Sequence, residues 1–176
     1  LNQTQRTNKQ NQKLTTMRTI RLLGGLLTAV LLAAGVTGCA SGPQFSALHS
    51  TEAPVAAGEG RIYLYRKATM VGAAIQPAIK INGEKVGDAI PGGYCYVDRP
   101  AGNYDISATT EVTRSLSLTL ESAQVRYVRF NIGMGFFVGH VWPELVENPE
   151  AEKEIQHCHF IGKPPETPPL TSVSEK

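Results

Sequence analysis

Histidine, cysteine and tryptophan are scarce in this chain, with four, three and one among 176 residues. Charged side chains make up only 18% of it, low for a soluble enzyme. A tetrahedral zinc site draws about four ligands, usually as two spaced pairs, and the chain offers one fragment of that kind, His157-Cys158-His159. No glycine-rich stretch runs into Lys-Ser/Thr at the head of a helix, which excludes a phosphate loop. No strand-turn-helix nucleophile elbow occurs. Asp88, Asp98, Asp105 and Glu111 are scattered near turns. Nothing sets two of them face to face, so paired-carboxylate chemistry has no support, and they read as solvated turn residues. There is no internal repeat, and no alternation of strands with long helices that would build a parallel sheet. These absences together leave no catalytic residue, resident metal or cofactor to expect.

Charge is unevenly distributed. Residues 1–39 hold Arg6, Lys9, Lys13, Arg18 and Arg21 and no acid, which leaves 12 of the 17 bases against all 15 acids in the remainder, a net −3. A mildly acidic body gives no electrostatic reason to bind nucleic acid. Residues 1–16 are polar, Gln/Asn-rich and aperiodic. Met17 reads as the start of translation, with the stretch before it either a gene-model extension or a disordered leader. Residues 17–38 then have the form of an export signal. Arg18 and Arg21 are a basic head, Leu22–Ala34 an apolar stretch, and small residues lead to Cys39. The apolar stretch falls short of the ~20 residues of a membrane-spanning helix, and its flanks suit a cleaved signal.

Val36-Thr37-Gly38-Cys39 resembles the lipobox of bacterial lipoproteins. The resemblance implies recognition by signal peptidase II through Val36, Thr37 and Gly38, and lipidation of Cys39. Membrane lipid is therefore the expected partner, through the acylated cysteine. Several acyl chains on one residue anchor stably where a single chain is marginal. Ala40 after the cysteine, by resemblance to lipoprotein sorting, favours the outer membrane facing the periplasm. Residues 39–59 read as the lipidated cysteine followed by a flexible tether of small, polar, Pro/Gly-bearing residues. Residues 162–176 read as a Pro-rich disordered tail.

The folded part is expected over 60–161, where the apolar period is two. Ile62 and Leu64 alternate with Tyr63 and Tyr65, and Leu116, Leu118 and Leu120 share one face against Ser115, Ser117 and Thr119. Asn82-Gly83 is a pair that tolerates positive φ and predicts a hairpin. Turns are also expected at Pro100-Ala101-Gly102 and near Glu121-Ser122-Ala123. Trp142–Val146 reads as the last long strand, and 147–156 as one short C-terminal helix. Seven or eight short strands of this kind predict an all-β chain folded as a single antiparallel β-sandwich.

Arg61-Ile-Tyr-Leu-Tyr-Arg66, Ile81-Asn-Gly-Glu-Lys-Val-Gly87, Pro100-Ala-Gly-Asn-Tyr104, Gly133-Met-Gly-Phe-Phe-Val-Gly-His140 and Pro143-Glu-Leu-Val146, in that order, resemble the domain-of-unknown-function 2846 family of bacterial lipoproteins. The hairpin and Pro-x-Gly part is also similar to PEGA domains. The resemblance implies a compact immunoglobulin/PEGA-like sandwich at the cell envelope and no enzymatic activity. Its specific role and any envelope protein partner stay unassigned.

With Cys39 lipidated, Cys95 and Cys158 remain as a pair that can form a disulfide if their Cα atoms come within range. Cys95 stands where an aromatic or aliphatic residue suits the family pattern, which argues against a family-wide bridge. His140, His157 and His159 are the residues of an alternative metal- or small-ligand-binding reading. On a strand, however, His157 and His159 would point away from Cys158, which favours surface histidines around a buried thiol. Met134, Phe136, Phe137 and Trp142 either cap the sandwich core, the favoured reading, or form an exposed contact patch.

Overall fold

The structure is a computed structural model that describes residues 40–133 and 139–162. Strands β1 (Glu59–Tyr65), β2 (Ala78–Ile81), β3 (Glu84–Asp88), β4 (Gly93–Pro100), β5 (Gly102–Thr109), β6 (Thr113–Leu120), β7 (Val125–Gly133), β8 (His140–Val146) and β9 (His159–Phe160) form two sheets. One has the order β8-β7-β1-β4-β9 and the other β3-β2-β5-β6. Two short helices, α1 (Phe45–Leu48) and α2 (Asn148–Ile155), and a 3-10 turn (His49–Thr51) complete the described residues.

The period-two pattern places the core. Ile62 and Leu64 point between the sheets, where they meet Ile79, Ile106, Leu120 and Phe130. The β2–β3 hairpin turns on Asn82 (φ 49°) and Gly83 (φ 85°), the pair of positive values that a tight hairpin loop requires. Pro100 and Gly102 bracket the β4–β5 turn. Ala123 takes φ 60° in the turn before β7.

Three expectations need correction. First, the sandwich is not wholly antiparallel, since β1 pairs with β7, and β4 with β9, in parallel. The turn before β7 lies against the start of β1, with the Arg61 N–H on the Gln124 carbonyl (2.8 Å) and the Ala123 N–H on the Glu59 carbonyl (2.7 Å). A strand that starts beside β1 and pairs along it must run the same way. Helix α2 likewise returns the chain to the end where β4 begins.

Second, β1 is buried on both faces, a pattern more usual for parallel strands in layered folds. Tyr63 and Tyr65 face away from the second sheet, into a separate cluster with Phe45, Tyr94, Tyr127, Val146, Ala151 and Ile155. The two helices thus make a third layer over the five-stranded sheet.

Third, residues 40–59 do not read as a free tether in the described part. Phe45 is 5% exposed and stacks on His49, with its ring edge-on to Tyr63 and Tyr94. The Phe45 N–H donates to the Cys158 carbonyl (2.9 Å), and the Phe160 N–H to the Pro43 carbonyl (2.8 Å). The aromatic side chain, these backbone bonds, and Glu52 bonded to Arg61 and Tyr63 hold the segment down.

Candidate functional site

The lipobox Val36–Cys39 and the loop residues Met134, Phe136 and Phe137 lie outside the described residues. Trp142 is 40% exposed, and its ring lies over Gly133, where an added Cβ would come within 2.9 Å of it. It is therefore neither a core plug nor free of contact.

Cys95 and Cys158 are both unpaired and buried. Cys95 belongs to the cluster between the sheets and Cys158 to the one beneath the helices, so the five-stranded sheet separates them and the possible disulfide is not formed. Burial, with Asp88 adding to it, pushes the Cys95 thiol up to about 12. Burial and then Glu154 do the same for Cys158, also to about 12. Neither is a reactive thiolate at neutral pH.

The three histidines of the metal-binding alternative do not meet. His140 opens β8 and His159 opens β9, the two opposite edges of the five-stranded sheet. Four strand spacings, roughly 19 Å, lie between such edges. His157 is exposed in the turn after α2, and Cys158 is outside any strand. His159 Nδ1 lies 2.6 Å from the Gly42 carbonyl oxygen, so this histidine fastens the 40–44 segment. Among the described residues no three His, Cys, Asp or Glu side chains are grouped to hold a metal.

What the fold does gather is charge inside the third layer. Arg61 is 5% exposed and bonds both oxygens of Asp98, Nε to Oδ1 and Nη2 to Oδ2, each at 2.7 Å. Its Nη1 reaches Glu52 Oε2 at 3.0 Å, Nη2 also donates to the Ala53 carbonyl (2.8 Å), and the guanidinium lies 4.3 Å over the Tyr96 ring. The Tyr63 hydroxyl donates to the same Glu52 oxygen. The hydrogen bonds to Asp98 hold Arg61 in its charged form, and burial and then Glu52 hold Tyr63 protonated. Arg61 is thereby spent on fastening β1, β4 and the 3-10 turn together.

Arg129 plays the same part for α2, with Nη1 2.7 Å from Glu154 Oε1 and 3.0 Å from Glu150, and Nη2 3.0 Å from Glu144. Glu154 also accepts from the Tyr65 hydroxyl (2.6 Å) and Lys67 Nζ (2.9 Å). Burial alone would raise this carboxyl. The hydrogen bonds from Tyr65, Lys67 and Arg129 outweigh it and bring it down to about 2. Arg66, 2% exposed, donates instead to three backbone carbonyls, of Ile75 (2.6 Å), Ala89 (2.8 Å) and Gly72 (2.8 Å). It clamps the long β1–β2 crossover, and burial lowers it to about 10.

Sequence reasoning passed over Arg61 and took Asp98 for a solvated turn residue, whereas Asp98 lies within β4 as the partner of Arg61. Their signal was present, because Arg61 shares a strand face with Tyr63 and Tyr65 and must be paired if that face is buried.

A cleft of about 680 Å³ lies between β3 and β4, with Val86, Gly87, Cys95 and Val97 in its walls and Ile161 and Gly162 at one side. Arg99 crosses to Glu84 at 3.5 Å. The β4 edge facing this cleft is paired with β9 only at Gly93 and Tyr94. Gly92 and Tyr94 accept bonds there from the His159 N–H (2.7 Å) and the Ile161 N–H (2.9 Å). By the alternation of a strand, the backbone groups of Tyr96 and Asp98 point to the same edge, where no second strand among the described residues meets them and Arg99 Nη1 lies 3.5 Å from the Asp98 carbonyl. β3 is an edge strand as well.

The model of a family described as a protein of unknown function (DUF2846) matches residues 56–141. Arg61–Arg66, 81–87, 100–104 and 133–140 fall inside the match, and 143–146 lies beyond it. No curated protein and no solved structure matches the chain.

Proposed function

From a chain that carries a DUF2846 domain across residues 56–141, we propose an envelope lipoprotein whose immunoglobulin/PEGA-like sandwich is a non-catalytic binding module. Acyl chains on Cys39 hold it to the membrane, and Ala40 directs it to the outer membrane with the domain in the periplasm. Its ligand is an extended polypeptide that lies in the cleft and adds to the free edge of β4, the mode of recognition in which main-chain bonds give affinity and neighbouring pockets give selectivity.

The observation that carries the binding part is the β4 edge, paired to Tyr94 and without a partner strand among the described residues at Tyr96 and Asp98, where Arg99 Nη1 reaches the Asp98 carbonyl at 3.5 Å, beside a cleft. Unpaired edges are normally covered or blunted, and of positions 163 and 165, which would continue the alternation of donors at 159 and 161, Pro165 carries no N–H. The anchor rests on the basic head, the apolar stretch and Val36-Thr37-Gly38-Cys39. The ion clusters are in keeping with a module that does no chemistry, since Arg61 and Arg129 are occupied in holding elements together.

Two measurements test this. Metabolic labelling with an alkynyl fatty acid should mark the wild type and leave Cys39→Ser unmarked; equal labelling of both rejects the anchor. A photo-crosslinking amino acid at Val97, activated in intact cells, should join the domain to a second polypeptide. Adducts only to its own tail, or none, reject the binding reading.

A further inference from the structure

We infer that the end of the sandwich where β1 finishes rests directly on the bilayer, with Met70 and Val71 of the β1–β2 loop entering the lipid. This rests on the proposed lipidation of Cys39 and fixes how the anchored domain is held.

The start of the described chain is bound to that end. The Ala40 N–H donates to the Pro91 carbonyl at 3.2 Å, and residues 43–52 are packed over the sheet as described above. Successive Cα atoms are about 3.8 Å apart, so the thiol proposed to carry lipid is one residue from a fixed point on the domain. The domain therefore has no slack with which to stand off the surface.

Beside that point lies the most exposed apolar loop among the described residues. Met70 is 89% and Val71 58% exposed, and all of 67–71 faces solvent. The loop touches the Pro91 turn, where a Cβ on Gly92 would be 3.3 Å from the Ala68 Cβ. Val112, in the β5–β6 turn, and Trp142, near the start of β8, are the next most exposed large apolar residues among those described, at 44% and 40%. Trp142 lies opposite Asn131, two residues past the last β1–β7 pair, and Val112 lies at the β5–β6 turn beside the start of β2, where the β1–β2 crossover ends. Folding gives no reason to leave a methionine and a valine in water at the point where acyl chains enter lipid, whereas bilayer contact covers them. Indole is favoured at the lipid–water boundary.

The charges there do not favour an anionic surface. Lys67 is paired with Glu154 at 2.9 Å, Asp88 with Lys85 at 2.9 Å, and exposed Glu111, next to Val112, is balanced by exposed Arg114 at the start of β6. The contact is apolar, so it should form equally on phosphatidylcholine vesicles and on vesicles of phosphatidylethanolamine with phosphatidylglycerol, and 0.5 M salt should not release it.

The test uses the full-length protein in such vesicles, with an environment-sensitive fluorophore on Met70→Cys or, at the opposite end, on Ser122→Cys. Cys95 and Cys158 are 1% exposed and stay unlabelled in the folded protein, and labelled wild type supplies the background. The label at 70 should shift to the blue and be quenched by spin-labelled lipid, while the label at 122 should not. Equal, water-like signals at both sites on protein that sediments with vesicles overturn the contact and leave the anchor standing. If mass spectrometry finds Cys39 bare, the anchor falls. Blue-shifted emission at 70 on added vesicles then still upholds the contact, and a wet label ends it. As a second measure, Met70→Ser/Val71→Ser in the unacylated Cys39→Ser background should lower vesicle partitioning about tenfold; unchanged partitioning overturns the contact.

Discussion

Glu154 is the residue whose surroundings speak most directly to pH. Its folded value of about 2 lies below the ordinary carboxylate value of 4.5, so the unfolded chain binds the proton more readily. The ionised group stabilises the fold above about pH 4.5, and that contribution drains away as pH falls toward 2. Solvent at the helix rim screens part of it, which leaves about 1–2 kcal/mol. Urea unfolding of Glu154→Gln should therefore show a deficit of that size at pH 7 and none near pH 2. A deficit unchanged across that range would refute the assignment. Arg61 makes the other residue-level case. Cutting it to Met strands Asp98 and Glu52 in a buried layer and should cost about 3–5 kcal/mol in the same assay. Adding Asp98→Leu should recover part of the loss, because removing both charges is milder than removing one. If the double variant is weaker than the single one by the full cost of a second core lesion, the pairing is not what holds the layer.

Among the elements, α1 and the 3-10 turn were the hardest to foresee. The strands announced themselves because alternation over four or more residues is a repeated signal, as in Leu116, Leu118 and Leu120, and Asn82-Gly83 supplied the backbone geometry of its hairpin. Phe45, by contrast, is one aromatic in a stretch of small and polar residues, so no period marks it as docked. Its burial is decided by Tyr63 and Tyr94, far away in sequence. Parallel pairing was hidden for a similar reason, since Arg61 meets Val125 across the whole second sheet. The candidate site was legible only in part. The lipobox is a local motif, but the cleft arises from where β9 stops, which no short pattern records. The docked segment yields its own prediction. Phe45→Ala removes the one apolar anchor of residues 40–52, leaving the polar contacts of Glu52 and Gly42, so limited proteolysis should cut there faster than in the wild type while the sandwich core stays intact. Equal cleavage rates would mean that the segment is held by other contacts.

For the whole molecule, the family match and the folding unit do not share boundaries. The match spans 56–141, which ends one residue into the buried part of β8 and omits α2, β9 and α1. Yet Tyr63, Tyr65 and Tyr127 are 1–3% exposed because Phe45, Ala151, Ile155 and Cys158 lie on them. A chain of 56–141 would open that aromatic face to water and lose the acids that pair with Arg129, and the glutamate that joins Asp98 on Arg61. Each exposed aromatic forfeits about 1.5–3 kcal/mol, against a typical total stability of about 5–15 kcal/mol. Three of them forfeit about 4.5–9 kcal/mol, the larger part of a stability near the lower end of that range. A fragment of 56–141 should therefore be aggregated or molten, with poor dispersion in its amide NMR spectrum, whereas 40–162 should give a dispersed spectrum and a single cooperative urea transition. A well-dispersed 56–141 would mean that the two sheets suffice alone and that the helical layer is an accessory to the fold.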